Sequence, residues 1–136
     1  MKQRPPWLTI VIVFYNNQRE AQRTLYTFST DYQKNIGLEE YNVIAIDNNS
    51  PKPLNEKEVA SFGPNFEYHF FETSSPSPVA ALNWGIQKAE TPYVMCLIDG
   101  AHMVTPNLLA ESKAVFSMFP NAFVYTPPFH LSLIHI

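Results

Sequence analysis

Runs of consecutive apolar residues alternate along this chain with stretches in which apolar positions recur at helical spacing. Leu8-Thr9-Ile10-Val11-Ile12-Val13-Phe14-Tyr15 is dense in β-branched residues and too short for a core helix, so it reads as a first strand of a parallel sheet. Tyr93-Val94-Met95-Cys96-Leu97-Ile98 has the same character and is predicted to be the central strand, buried on both faces, ending on Asp99 with Gly100 freeing the backbone to turn. Tyr41 to Asp47 is a third run that ends in an acid, and Phe66 to Glu72 a weaker strand. Between the runs, Ala21, Leu25, Phe28 and Tyr32 predict a helix from Gln18 to about Tyr32, with Asn16 or Asn17 as its cap. Asn55 with Glu58 predicts a short capped helix through Phe62, stopped by Gly63-Pro64, and Val79, Leu82, Ile86 and Ala89 predict another. Thr105 as cap and Pro106 at the first helical position open a last helix, whose buried side would be Leu108, Leu109, Val115, Phe116 and Phe119. Ala122 to Thr126 reads as a fifth strand. Strictly alternating strands and helices argue for an α/β fold with a mostly parallel sheet flanked by helices.

At 136 residues the chain is one domain, large enough to bury a real core. A net charge of −3 offers no electrostatic footprint for nucleic acid, which excludes it as the main partner. The single cysteine, Cys96, sits inside an apolar run, so no disulfide forms within the chain and a buried inert thiol is expected, in keeping with a reducing, cytoplasmic setting. Met1 to Pro6 followed by Trp7 to Tyr15 imitates a signal peptide, but the apolar run is short, β-branched and followed by Asn16-Asn17-Gln18-Arg19-Glu20. No stretch approaches the length of a transmembrane span, so a spanning segment would need residues not present here, and a cytoplasmic or membrane-peripheral place is expected. His130 to Ile136 follow two prolines and join no pattern. The expected organisation is therefore one domain over residues 1–129, incomplete at its carboxyl end, and an artefactual tail at 130–136.

Fold does not fix function, so the sites must decide. The turn after the first strand, Phe14-Tyr15-Asn16-Asn17-Gln18-Arg19, is not a G-x-G-x-x-G, and no phosphate-binding G-x-x-x-x-G-K-[ST] occurs. Asn16-Asn17 supply amides where a phosphorylated receiver domain needs an acidic pair. What remains is two strand-terminal acids, Asp47 and Asp99, with amides at Asn16, Asn48, Asn49 and Asn83. Each has a structural alternative: Asp47 and Asn48 shaping an Asx turn, Asn16 capping a helix, Asp99 ending a strand. Gathered at the carboxyl edge of one sheet, the same residues describe a polar nucleotide site.

Four blocks in sequence carry a more specific resemblance: Thr9-Ile10-Val11-Ile12-Val13-Phe14-Tyr15-Asn16, Val43-Ile44-Ala45-Ile46-Asp47-Asn48-Asn49-Ser50, Ala80-Ala81-Leu82-Asn83-Trp84-Gly85-Ile86, and Tyr93 to Pro106. Together they resemble the signature blocks of family-2 glycosyltransferases of the Rossmann-like GT-A fold. The resemblance implies a half-domain that binds a nucleotide-diphosphate-sugar for transfer, with inversion, to a glycan or lipid acceptor. It places Phe14, Tyr15 and Asn16 against the nucleotide, gives Asp47 a hydrogen bond to base or ribose, and adds Asn49 and Asn83 to the donor site. Asp99 matches the first acid of the family's D-x-D motif, whose two carboxylates hold Mn²⁺ or Mg²⁺ against the donor diphosphate.

Departures from the pattern matter as much. Ala101 occupies the position of the second acid, so the two-carboxylate clamp is broken and metal binding weakened. His102 follows; it could complete a Mn²⁺ site with Asp99, meet the diphosphate as a cation without any metal, or be a solvated loop residue. Leu82 stands where the family usually has a basic residue, and Ser77 where it often has glycine. The catalytic base of inverting members normally lies beyond this stretch; His69 and Glu72 qualify only by residue type and read better as a strand end and its solvated edge. Two rivals follow: a non-catalytic relative that keeps the fold as a binding module, motivated by Ala101 and Leu82, and a nucleotidyltransferase, disfavoured by the missing glycine-rich basic loop near the first strand.

Overall fold

A computed structural model describes residues 4–98 and 102–126. Its elements, in chain order, are β1 (Leu8–Phe14), α1 (Gln18–Thr27), β2 (Tyr41–Asp47), α2 (Glu56–Ala60), β3 (Phe66–Phe70), α3 (Val79–Lys88), β4 (Tyr93–Ile98) and α4 (Leu108–Met118). The strands form one four-stranded sheet in the order β3-β2-β1-β4, and every pairing is parallel. β1 is therefore an interior strand, in register from Leu8↔Tyr41 to Phe14↔Asp47 on one side and from Leu8↔Tyr93 to Val13↔Ile98 on the other. All of its residues are buried, as a mostly apolar interior strand of a parallel sheet should be, and the one polar residue, Thr9, pairs its hydroxyl with that of Thr91 at 2.7 Å.

Side chains alternate across the sheet and feed two cores. Ile10, Ile12, Phe14, Val43 and Ala45 point to the face covered by α1, α2 and α4, where they meet Ala21, Leu25, Phe28, Val59, Leu108 and Leu109. Val11, Val13, Ile44 and Ile46 point to the opposite face and meet Ala81 of α3, with Phe71, Leu82 and Trp84 around them. Gly85 lets α3 lie close: a Cβ there would come within 2.4 Å of Val11 Cγ1 and 2.8 Å of Ile46 Cδ1. The amino-terminal edge is closed by hydrogen bonds and rings. Tyr41 donates its hydroxyl to the Phe28 carbonyl, Asn65 Nδ2 donates to the Tyr41 carbonyl at 3.1 Å, and Tyr93 stacks on Phe116 with ring centroids 4.1 Å apart.

The α/β architecture matches expectation; several details do not. β4 is an edge strand of the described sheet. Its residues alternate between half-buried and exposed, with Val94 37% and Ile98 52% exposed, because α3 reaches only over β1 and β2 on that face. Cys96 is consequently exposed, and the burial it retains raises its thiol above the usual range. Helix α1 stops at Thr27, not near Tyr32. The hydroxyls of Thr27 and Ser29 donate to the carbonyls of Thr24 and Tyr26, and the chain turns there so that Tyr32 packs edge-on against Tyr26. Helix α4 begins two residues later than predicted, with Asn107 at the cap and Thr105 and Pro106 in the preceding turn. On it Leu108 and Leu109 are buried and Phe116 is half-buried, whereas Val115 and Phe119 are exposed. Residues 122–126 form no strand: Phe123 is 90% exposed and no described segment pairs with them. The expected tail at 130–136 lies outside the described residues.

Candidate active site at the carboxyl edge

Parallel strands direct all their carboxyl ends to one edge, and β1, β2 and β4 end there side by side: Phe14 is paired with Asp47, and Val13 with Ile98. The loop after β2 is built by Asp47. Its carboxylate is 1% exposed; Oδ1 accepts the Ser50 amide at 2.8 Å and Oδ2 the Leu54 amide at 2.9 Å. Both oxygens thus clasp the turn, the Asx arrangement, and each keeps a further lone pair. That negative charge also reaches Tyr68, whose hydroxyl is raised above its usual range first by burial, then by Asp47 and Glu56.

Asparagines and serines sew the neighbouring loops to this turn. The Asn16 amide donates to Ser50 Oγ at 2.9 Å, and the Asn48 amide to the Phe14 carbonyl at 2.8 Å. Across the other side, Asn49 Nδ2 donates to the Thr73 carbonyl at 2.6 Å and Asn48 Nδ2 to the Ser77 carbonyl at 3.3 Å. Asn16 and Asn49 take left-handed backbone conformations, with φ of 53° and 59°, which asparagine tolerates better than other non-glycine residues. Asn48 Oδ1 is buried without a partner among the described residues. The loops after β1, β2 and β3 are therefore one polar assembly.

Of the predicted donor-site residues, Tyr15 is 55% exposed at this edge, and Asn16 and Asn49 are exposed beside it. Phe14 is fully buried in the α1-side core, so its side chain supports the loop from beneath. Asn83 is an exposed residue of α3. Asp99, Gly100 and Ala101 lie outside the described residues, and His102 is half-buried. Among the described residues no group of three or more His, Cys, Asp or Glu side chains could hold a metal ion, and with alanine at 101 the D-x-D donor set is incomplete. His69 lies 3.3 Å from Glu67 and edge-on to Trp84 with centroids 4.9 Å apart, the strand-edge arrangement expected for it, and Glu72 is exposed.

Two features went unread in the sequence. Ser50, the hydroxyl that joins the first two loops, closes the Asp-Asn-Asn-Ser block and could have been noticed there. Beside the Asp47 turn, an open cavity of about 550 Å³ is lined by Gln18, Arg19, Gln22, Leu54, Asn55 and Glu58 among others. Gln18 Nε2 donates to the carbonyls of Lys52 and Pro53 at 2.7 and 2.8 Å; nothing in local spacing announces that contact.

Comparison with known proteins bears on the fold and the family. S. aureus TarS 1-349 superposes with a TM-score of 0.71 at 17% identity, over 82% of this chain and 32% of that one. The structure of the same fragment in complex with UDP gives 0.71 at 18% identity over the same shares, and a longer TarS chain 0.71 at 17%, with 20% of that chain covered. The chain thus spans about a third or less of these structures, which at such identity speak for the fold. No curated protein matches the sequence. The family described as Glycosyl transferase family 2 matches residues 9–116, most of the chain and all four signature blocks, so the chain belongs to glycosyl transferase family 2.

Proposed function

We propose that this chain is the donor-binding half of an inverting glycosyltransferase that moves a sugar from a nucleotide-diphosphate-sugar to a glycan or lipid acceptor. The observation that carries the reading is the single polar assembly at the carboxyl edge, in which Asp47, Asn16, Asn48, Asn49 and Ser50 join the loops after β1, β2 and β3. In this reading Tyr15 and the exposed amides of Asn16 and Asn49 face the nucleoside, with Asn83 and Asp99 toward the phosphates and sugar. Asp47, buried and bonded to the turn through both oxygens, acts by holding the loop that presents these residues. Membership of the family and the UDP complex of S. aureus TarS support a nucleotide-sugar donor. Asp99 and His102 are the residues that would meet Mn²⁺ or Mg²⁺ if the site uses one; the metal's chemistry would be to neutralise the departing diphosphate. No described residue is assigned as the base. A cytoplasmic place, at a membrane surface if the acceptor is a lipid, belongs to the same reading; among the described residues no helix is long and apolar enough to cross a membrane.

Calorimetry with UDP-, GDP- and dTDP-sugars, with and without Mn²⁺, tests this. One donor class should bind, and a folded sample that binds none would end the proposal. Ala101 favours a second reading, a relative that binds the donor without turning it over. Transfer assays with Ala101→Asp in the protein together with its acceptor half separate the two: metal-dependent transfer that appears only in the variant supports the non-catalytic relative, and barely changed transfer supports a competent native site.

A further inference from the structure

Gln33, in the turn after α1, is 3% exposed, and every polar atom of its amide is engaged with main chain. Nε2 donates to the carbonyls of Thr27 and Thr105, both at 2.8 Å, and Oε1 accepts the Leu109 amide at 3.2 Å. Those partners belong to the end of α1, the segment that follows β4, and the first turn of α4. A helix leaves its first amides without intrahelical partners; Asn107, at the cap of α4, makes no side-chain cap, and Gln33 supplies the missing acceptor from another part of the chain. Neighbouring contacts run the same way: the Lys34 amide donates to the Pro106 carbonyl at 2.7 Å, the Val104 amide to Thr27 Oγ1 at 3.4 Å, and Asn35 Nδ2 to Asn107 Oδ1 at 3.4 Å. Residues 104–109 are thereby fastened to the turn after α1, and His102 enters that fastened stretch directly.

We infer that Gln33 is a positioning residue: by holding residues 104–109 on α1 it sets where the stretch beginning at His102 meets the phosphates of the donor. This rests on the donor-binding reading above. No other described side chain bonds to the end of α1, the segment after β4 and the first turn of α4 at once, so the anchor should be felt locally and not through the β1 and β2 loops.

The test uses the full chain with Gln33→Met, which keeps length and volume but removes all three bonds. Amide hydrogen exchange followed by NMR should accelerate about tenfold at Leu109 and Val104 while Ile12 in β1 is unchanged. Calorimetry should show UDP affinity falling about tenfold with uridine affinity unchanged; if GDP or dTDP is the nucleotide bound, the same pair is measured with its nucleoside. A general structural role predicts instead that Ile12 exchange and nucleoside affinity move together with the rest, and that outcome, or no change at Leu109, overturns the inference. Should Gln33→Met fail to fold, Gln33→Glu keeps an acceptor and loses both donors: Leu109 stays protected and Val104 does not, and equal loss at both overturns the anchor. A wild-type chain that binds neither nucleoside nor nucleotide removes the donor-binding reading and the phosphate role with it, and the exchange contrast then decides the anchor by itself.

Discussion

Asp47 illustrates how one side chain can be found for one reason and placed for another. An acid at a strand end was legible from its position after an apolar run, but the clasp of two amides, from Ser50 and Leu54, is a three-dimensional arrangement. Asp47→Ala leaves both donors unmet in a buried turn and should cost about 2 kcal/mol in urea denaturation; an unchanged midpoint would show that the turn holds without it. Asparagine at 16 answers a backbone demand, since φ is 53° there. Replacement by valine should therefore cost about 1–2 kcal/mol and replacement by glycine much less. Equal losses in the two variants would instead point to the asparagine side chain. The asparagines were visible as a cluster of amides; which carbonyls they reach, Thr73 and Ser77, depends on the β3–α3 loop folding back over β2.

Among the elements, α3 shows packing overriding propensity. Ala is the better helix former by about 1 kcal/mol, but at Gly85 its methyl would collide with Val11 and Ile46 across the sheet. Both are buried and β-branched, with little freedom to turn aside. Gly85→Ala should lower stability by a net of about 1 kcal/mol, read from thermal or chemical unfolding; a stabilised variant would mean that α3 rides further from the sheet than the structure has it. Helix α4 is tied to the start of β2 by Lys113 and Glu40. Burial pushes the Glu40 carboxyl upward, but the Lys113 ammonium and the Gly37 amide outweigh it, and its pKa lies below the ordinary 4.5. A lowered carboxyl stabilises fully above its unfolded value and loses that contribution as pH falls through the folded one. Glu40→Gln should accordingly narrow its stability gap to the native chain as pH drops below about 4.5, with the gap at neutral pH under about 1 kcal/mol because the pair is partly solvated. A gap that widened in acid would contradict the assigned sign. The helix periodicity that located α4 overestimated its buried face, since a 3.6-residue repeat identifies an apolar stripe without saying whether anything covers it.

For the whole molecule the order of strands is what matters. With β4 at the edge of the described sheet, Cys96 should react with a thiol reagent in the folded chain without denaturant, slowly near neutral pH and faster as pH rises through its elevated pKa; protection until unfolding would show that β4 is covered. The expectation of a buried central strand failed here because apolarity records what a segment can tolerate, while pairing partners decide what it receives. Alternating apolar runs and helical spacings were enough to determine the α/β class, nearly every element, the two strand-end acids and the family blocks, since each of these is written in local spacing. Strand order, the exposed face of β4, the early end of α1, the sewing of the loops around Asp47 and the reach of Gln33 were decided only by the tertiary structure. Each depends on contacts between residues far apart in the chain, and no local pattern encodes which distant backbone group a side chain will meet.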